Sequence, residues 1–170
     1  MKKKNKIISY FLILLLVLLS FFGGSYYEKQ KARSSSYSPT PSYAINQNLS
    51  VVEVSDGDTF KLSDGKTFRL YGVNAPEVKE PLFDEAKAFT ENLVLGKEIS
   101  FEQEVNYKVD KFGRTLGYVF VGGVNLNIEL VRNGLARVVL YEKRAKIKYQ
   151  DELLSAEKSA KELRLGIWKK

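Results

Sequence analysis

From Leu49 onward the sequence predicts a small β-barrel with helices, an α+β arrangement. Three observations carry this. About five short strand-like runs follow one another with turn residues between them. A helical pattern follows the third run, and a second, longer one closes the chain. So few strands with helices so placed suggest a closed or nearly closed small barrel, the economical way to remove sheet edges. That describes an OB-fold, here a five-stranded barrel with about three helices.

The elements follow in order. Leu49 to Val54 alternates around Val52 and Val54, a half-buried strand. Thr59–Leu62 and Lys66–Val73 flank Asp64-Gly65, a strong hairpin signal. Leu82 to Leu95 reads as a helix with Leu82, Ala86, Phe89 and Leu93 on one face and Gly96 as its stop. Lys97 to Val105 sets Ile99 and Phe101 against charges, and Thr115 to Val121 is a further strand turned at Gly122-Gly123. Asn127 is the expected N-cap of a short helix that runs to Asn133 and stops at Gly134. Leu135 to Leu140 is a short apolar strand. In the last helix Tyr149, Leu153, Ala156, Ala160 and Leu163 fall on one stripe, after which Gly166 ends the helix and Trp168 is expected to pack back on the core.

Two segments precede this domain. Residues 1–27 combine a basic start with the apolar run Ile7 to Phe22, and predict a signal peptide or a membrane anchor helix. Lysines before the run and no clear small-x-small cleavage pattern after it favour an uncleaved anchor with the C-terminal side outside. Residues 28–48, rich in Ser, Tyr, Lys, Gln and Pro, predict a disordered linker to the domain at 49–170. The expected location is therefore extracytoplasmic and membrane-anchored, or secreted if the segment is cleaved.

The composition narrows the chemistry. The 170 residues contain no cysteine and no histidine. Thiolate metal sites, imidazole zinc sites and serine–histidine triads are excluded. The net charge of +7 is misleading, because seven Lys/Arg and one Glu lie in residues 1–44, leaving 20 bases against 19 acids afterwards. Net charge is therefore no argument for nucleic acid; only local clustering can be one.

The residues that carry chemistry are Asp56-Gly57-Asp58, Arg69, Glu77 and the stretch Asp110-Lys111-Phe112-Gly113-Arg114. Taken alone, Asp56-Gly57-Asp58 is most simply a turn. It lacks the later acids of an EF-hand, and Gly65-Lys66-Thr67 fails as a phosphate loop because the upstream glycine position holds Phe60. Arg69 points away from Phe68 and Leu70. On a solvent face it is a solubility charge; at the barrel mouth it needs anions, for which Asp58 and Glu77 are the near candidates. Two acids and two guanidiniums on one sheet edge would suit metal-assisted attack on a phosphodiester. The run Arg137, Lys143, Arg144, Lys146 and Lys148, beside Tyr141 and Tyr149, reads either as a backbone track with stacking platforms or as a solvated loop.

Residues 49–168 resemble the thermonuclease (staphylococcal nuclease) family. The resemblance rests on Asp56-Gly57-Asp58-Thr59, Phe68-Arg69-Leu70, Pro76-Glu77, Asp110-Lys111-x-Gly113-Arg114, Asn127 through Ala136, and Gly166-Ile167-Trp168. It implies an OB-fold and calcium-dependent cleavage of DNA and RNA, leaving 3′-phosphates. It also implies Asp58 as calcium ligand with Asp56 in its outer sphere, Asn74 and the Ala75 carbonyl as further ligands, Arg69 and Arg114 on the phosphate, and Glu77 handling the attacking water. Lys111, Tyr141, Arg137, Lys143 and Arg144 are then the expected substrate contacts. A monomer is expected, because no oligomerisation signal is visible.

Three departures stand out. Asn74 occupies a position where the family usually has an aspartate ligand, which removes a negative charge. The segment Val138 to Glu142 lacks one of two substrate-packing tyrosines, with Tyr141 one position out of register. Phe112 keeps the ring of a usual tyrosine and loses its hydroxyl. A competing reading follows from the first: an OB-fold module that binds nucleic acid but cleaves it weakly or not at all. A surface protein-binding domain is a third reading, and the arginine–carboxylate set argues against it.

Overall fold

The computed structural model describes residues 49–141 and 145–169. The expected anchor at 1–27, the expected linker at 28–48, and Lys143 and Arg144 lie outside the described residues.

Among the described residues, eight strands and three helices follow one another: β1 (Leu49–Asp56), β2 (Thr59–Leu62), β3 (Thr67–Leu70), β4 (Val73–Asn74), α1 (Phe83–Val94), β5 (Glu98–Glu102), β6 (Thr115–Val121), β7 (Val124–Asn125), α2 (Leu126–Arg132), β8 (Arg137–Val138) and α3 (Gln150–Glu162), with a 3-10 turn at Gly166–Trp168. The main sheet runs β3-β2-β1-β5-β6-β7, and β3 also pairs with β6. That last pairing, parallel with Arg69 opposite Leu116, closes five strands into the predicted barrel. The short pair β4–β8 lies outside it, with Asn74 opposite Arg137.

The barrel closes around aromatic side chains. Phe60 and Phe68 are fully buried and stack with centroids 5.4 Å apart, and Phe101 meets Phe68 edge-on at 5.0 Å. Such pairs add to the area term that already favours burying large rings. Tyr118 is also fully buried, and its hydroxyl donates to Glu104 Oε1 at 2.7 Å.

Several local expectations are corrected or narrowed. In β1 the buried residues are Val51 and Val54, while Val52 is exposed. Register shifts against β2 between Val51 and Glu53 and between Val54 and Asp56 break the simple alternation. In α1 the fully buried line is Ala86, Thr90, Val94, and Phe89 and Leu93 of the expected face pack partly buried against the same core. The N-cap of α2 is Asn125, whose side chain accepts the Ile128 amide, and not Asn127. Asn127 instead lies fully buried, accepting the Val119 N–H and donating to the Tyr71 and Gly117 carbonyls. Finally, α3 ends at Glu162, leaving Leu163 exposed, and Trp168 sits among the cations Arg137 and Lys161 at 5.2 and 4.4 Å from its ring. The expected strand from Leu135 to Leu140 survives only as the two residues of β8.

Candidate active site

The site is assembled at one end of β2 and β3. The turn Asp56-Gly57-Asp58 brings the two acids together: Asp56 Oδ1 accepts the Asp58 amide at 2.9 Å, so the turn reading of this motif is correct as far as it goes. α1 holds the turn in place, with Thr90 Oγ1 donating to the Gly57 carbonyl at 2.6 Å. Glycine is required there, because a Cβ would come within 2.8 Å of the methyl groups of both Ala75 and Ala86.

Asp58 is almost fully buried. Its Oδ1 accepts from the Thr59 hydroxyl at 2.9 Å and pairs with the Arg69 guanidinium, and its Oδ2 accepts the Ala75 amide at 2.7 Å. The strand register explains the pairing, since Arg69 stands opposite Thr59 on β2 and opposite Leu116 on β6. The Arg69 side chain is thus wedged between the strand that carries Asp58 and the strand that follows Arg114. Its second anchor is Asn74, whose Oδ1 accepts from Nη2 at 2.8 Å; of the two anions expected for Arg69, Asp58 holds it, and Asn74 rather than Glu77 completes the grip. Asn74 Nδ2 in turn donates to the Ala75 carbonyl at 3.2 Å.

Arg114 comes from the loop before β6. Asp110 organises that loop: its Oδ1 accepts the amides of Phe112 and Arg114, and its Oδ2 accepts Arg114 Nε at 2.7 Å. Burial pushes the Asp110 carboxyl up, but the Arg114 amide and guanidinium and the Phe112 amide outweigh it and hold the group below the usual carboxylate range. The Nε contact leaves the terminal nitrogens of Arg114 outside that pairing. Phe112 is exposed, flanked by Lys111 at 4.9 Å and Arg114 at 5.4 Å from its ring.

Arg69, Asn74, Lys111, Arg114 and Tyr141 all line one cleft of about 450 Å³. Tyr107, whose ring stacks on Tyr71 at 6.0 Å, lines it too. Arg137 lies elsewhere, over the Trp168 ring and opposite Asn74 on the β4–β8 pair. Glu77 is exposed beyond Pro76, with its amide donating to Glu80 Oε2 at 2.8 Å, and it does not line the cleft. Its loop is held in an unusual conformation, with Lys79 and Leu82 at φ 76° and 69°. Of the loop cations, Lys148 pairs with Glu102 and Lys146 with Asp151, and Tyr149 is buried against Tyr118 and Phe120. That ring is therefore core, because its hydroxyl has a buried-side partner in Glu102.

The acids crowd one another. Burial first, then Asp58 and to a lesser degree Glu77, push the Asp56 carboxyl up to about 6. A cation nearby would relieve that repulsion. The ligand atoms that Asp56, Asp58, Asn74 and the Ala75 carbonyl could offer are all oxygens, which suits a hard dication in type. Among the described residues no three acid side chains converge to hold a metal, so neutral oxygens such as those of Asn74 and Ala75 would have to complete a seat.

Sequence reasoning missed three members of this arrangement. Thr59 and Asp110 stand in the quoted motifs with no role given to them there, and Tyr107 carries no sequence signal of its own. The spacing Asp110-x-x-x-Arg114 was the available signal for Asp110.

Residues 67–170 match the family described as staphylococcal nuclease homologue. The chain belongs to the staphylococcal nuclease family. It is 38% identical over 136 residues to a thermonuclease of Staphylococcus hyicus, which covers 75% of this chain and 79% of that one. It is 34% identical over 132 residues to endonuclease YncB of Bacillus subtilis, covering 72% of this chain and 62% of the relative. It is 33% identical over 124 residues to the SPbeta prophage-derived endonuclease YokF of the same organism, covering 68% and 42%. The chain thus spans less than two thirds of either Bacillus relative. On family membership and these relatives it is a nuclease in class, a hydrolase.

Proposed function

We propose that the chain is a calcium-dependent nuclease that hydrolyses phosphodiester bonds of DNA, RNA or both, acting as an endonuclease and leaving 3′-phosphates. The observation that carries this reading is the shared cleft of Arg69 and Arg114, with Arg69 gripped from behind by Asp58 and Asn74.

The two guanidiniums would straddle the scissile phosphate, Arg114 through its two terminal nitrogens and Arg69 through the N–H groups that Asp58 and Asn74 leave over. Their anchors on Asp58, Asn74 and Asp110 fix them before substrate arrives, so little reorganisation is needed as charge builds on the phosphate. Glu77 would take the proton from the attacking water as its oxygen bonds to phosphorus. The 5′ oxygen then leaves and takes up a proton. Calcium, held by Asp58 with Asp56 behind it and by the oxygens of Asn74 and Ala75, would supply positive charge to the phosphate oxygens. Lys111 and Tyr141, at the cleft wall, would contact the flanking nucleotide. Lys143 and Arg144 are proposed substrate contacts as well. We place the enzyme outside the membrane, tethered through residues 1–27, acting on external nucleic acid as a monomer.

One observation favours a second reading. Both Asp58 oxygens already have protein donors, the Asn74 amide oxygen is taken by Arg69, and an N–H faces the Ala75 carbonyl. A seat so engaged would bind calcium weakly, leaving a nucleic-acid-binding module. Cleavage of single-stranded DNA with and without calcium separates the two. Turnover abolished by chelator, by Arg69→Ala and by Glu77→Gln supports the enzyme. Tight binding without turnover at millimolar calcium supports the module.

A further inference from the structure

A second hollow, of about 540 Å³, shares Asn74 with the cleft. Asn74 stands on the β4–β8 pair opposite Arg137, which lines the second hollow. The second hollow has Arg137 and Lys169 as its cations, and Pro76, Pro81, Leu82 and Ile167 among its apolar walls. Arg137 lies against the Trp168 ring, which fixes its guanidinium without neutralising it. Neither cation has an ion pair among the described residues, and the one acid in the lining, Glu80, already accepts the Glu77 amide.

We propose that this hollow receives the nucleic-acid strand beyond the scissile phosphate, with Arg137 and Lys169 as a second pair of phosphate contacts. The inference rests on the nuclease reading and extends it from the reaction to the footprint. A strand alternates anionic phosphates with flat, largely apolar sugar–base units, and the hollow offers cations beside an apolar wall in the same sequence. A free inorganic anion would need no such wall. Asn74, which lines both, is where the strand passes from one site to the other.

Two measurements test this. The first compares cleavage of an oligothymidylate of about a dozen nucleotides with that of a dinucleotide, in wild type, Lys169→Glu and Arg137→Ala. Each substitution is expected to lower the long-to-short ratio of kcat/KM by about threefold to tenfold, through KM for the long substrate. A ratio unchanged in both variants overturns the proposal. The second uses Trp168, the one tryptophan of the chain. With chelator present, the long oligonucleotide is expected to change its emission and the dinucleotide is not; an equal response, or none to either, overturns the proposal. Should wild type cleave neither substrate, the nuclease reading fails, while the emission titration still decides whether the hollow takes a strand.

Discussion

Arg69 and Arg114 have parallel proposed roles but unequal structural debts, and the difference predicts how their loss divides between stability and turnover. Removing Arg69 strands Asp58, a carboxylate only 3% exposed, whose remaining partners are the neutral donors of Thr59 and Ala75. An uncompensated buried charge costs about 3 kcal/mol, so Arg69→Ala should lower Tm by roughly 10 °C. Arg114→Ala leaves Asp110 with two backbone amides and should lower Tm much less. Both should lower kcat by about 10² to 10³. Thermal melts beside single-turnover rates check this; equal Tm losses would refute the burial argument. Asn74→Asp adds a ligand charge and should tighten calcium by about tenfold, read by calorimetric titration; no gain would remove Asn74 from the seat. Asp110 provides a pH signature. Its folded value is depressed, so its contribution is complete above the unfolded value of 3.8 and is lost as pH falls below that through the folded value. Amide exchange at Phe112 and Arg114 should therefore accelerate only in that acid range, and Asp110→Asn should abolish the pH step.

At the scale of elements, the contacts that hold the site are tertiary, and they decide what could be read in advance. Asn127 joins β6, α2 and the turn after β3 through one buried amide. Asn127→Leu would leave the Val119 N–H and the Tyr71 carbonyl without this partner, while the Gly117 carbonyl keeps the Tyr71 amide, a loss of about 2 kcal/mol or more, measurable by urea unfolding. Gly134 and Gly166 form a second joint, where φ is 67° and 50° and a Cβ on either would overlap the backbone of the other segment. Gly134→Ala should destabilise by more than the usual penalty for a glycine, because strain and overlap act together. Strands β2, β3 and β6 were legible because turn glycines and alternation are local signals. So were Asp58, Arg69 and Arg114, which share the cleft region because β3 pairs with both β2 and β6. The bulged β1, the cap at Asn125 and the buried role of Asn127 were not legible. Each depends on which partner strand or helix the residue meets, and an asparagine reads the same as a cap or as a core tie until the fold supplies its neighbours. Leu163 likewise fits the apolar stripe of α3, but the helix stops one residue earlier and the next turn carries it outward.

At the scale of the molecule, charge is distributed so that binding must be local. Residues 45–170 are nearly neutral, with 20 bases against 19 acids, and many of the domain's cations are already paired, as Lys148 is with Glu102. A long-range basic field cannot therefore supply affinity for nucleic acid; local cations must, and among the described residues the two hollows gather several of them. The cleft offers Arg69, Lys111 and Arg114, and the second hollow adds Arg137 and Lys169. With a loss of about 0.7 in log–log slope per neutralised phosphate of a single strand, and Arg69 and Arg114 sharing one phosphate, the cleft alone corresponds to a salt slope of about −1.4, and both hollows to about −2.8. Binding of a long oligothymidylate, followed by anisotropy across a salt series, should give the steeper value in wild type and a value shallower by about 0.7 in Lys169→Glu. A dinucleotide, with its single phosphodiester, should give a slope of only about −0.7 in both proteins. A much steeper slope for the long strand would mean that cations outside these hollows carry the interaction, and a slope near zero would mean that stacking on rings such as Phe112 and Tyr141 carries it instead.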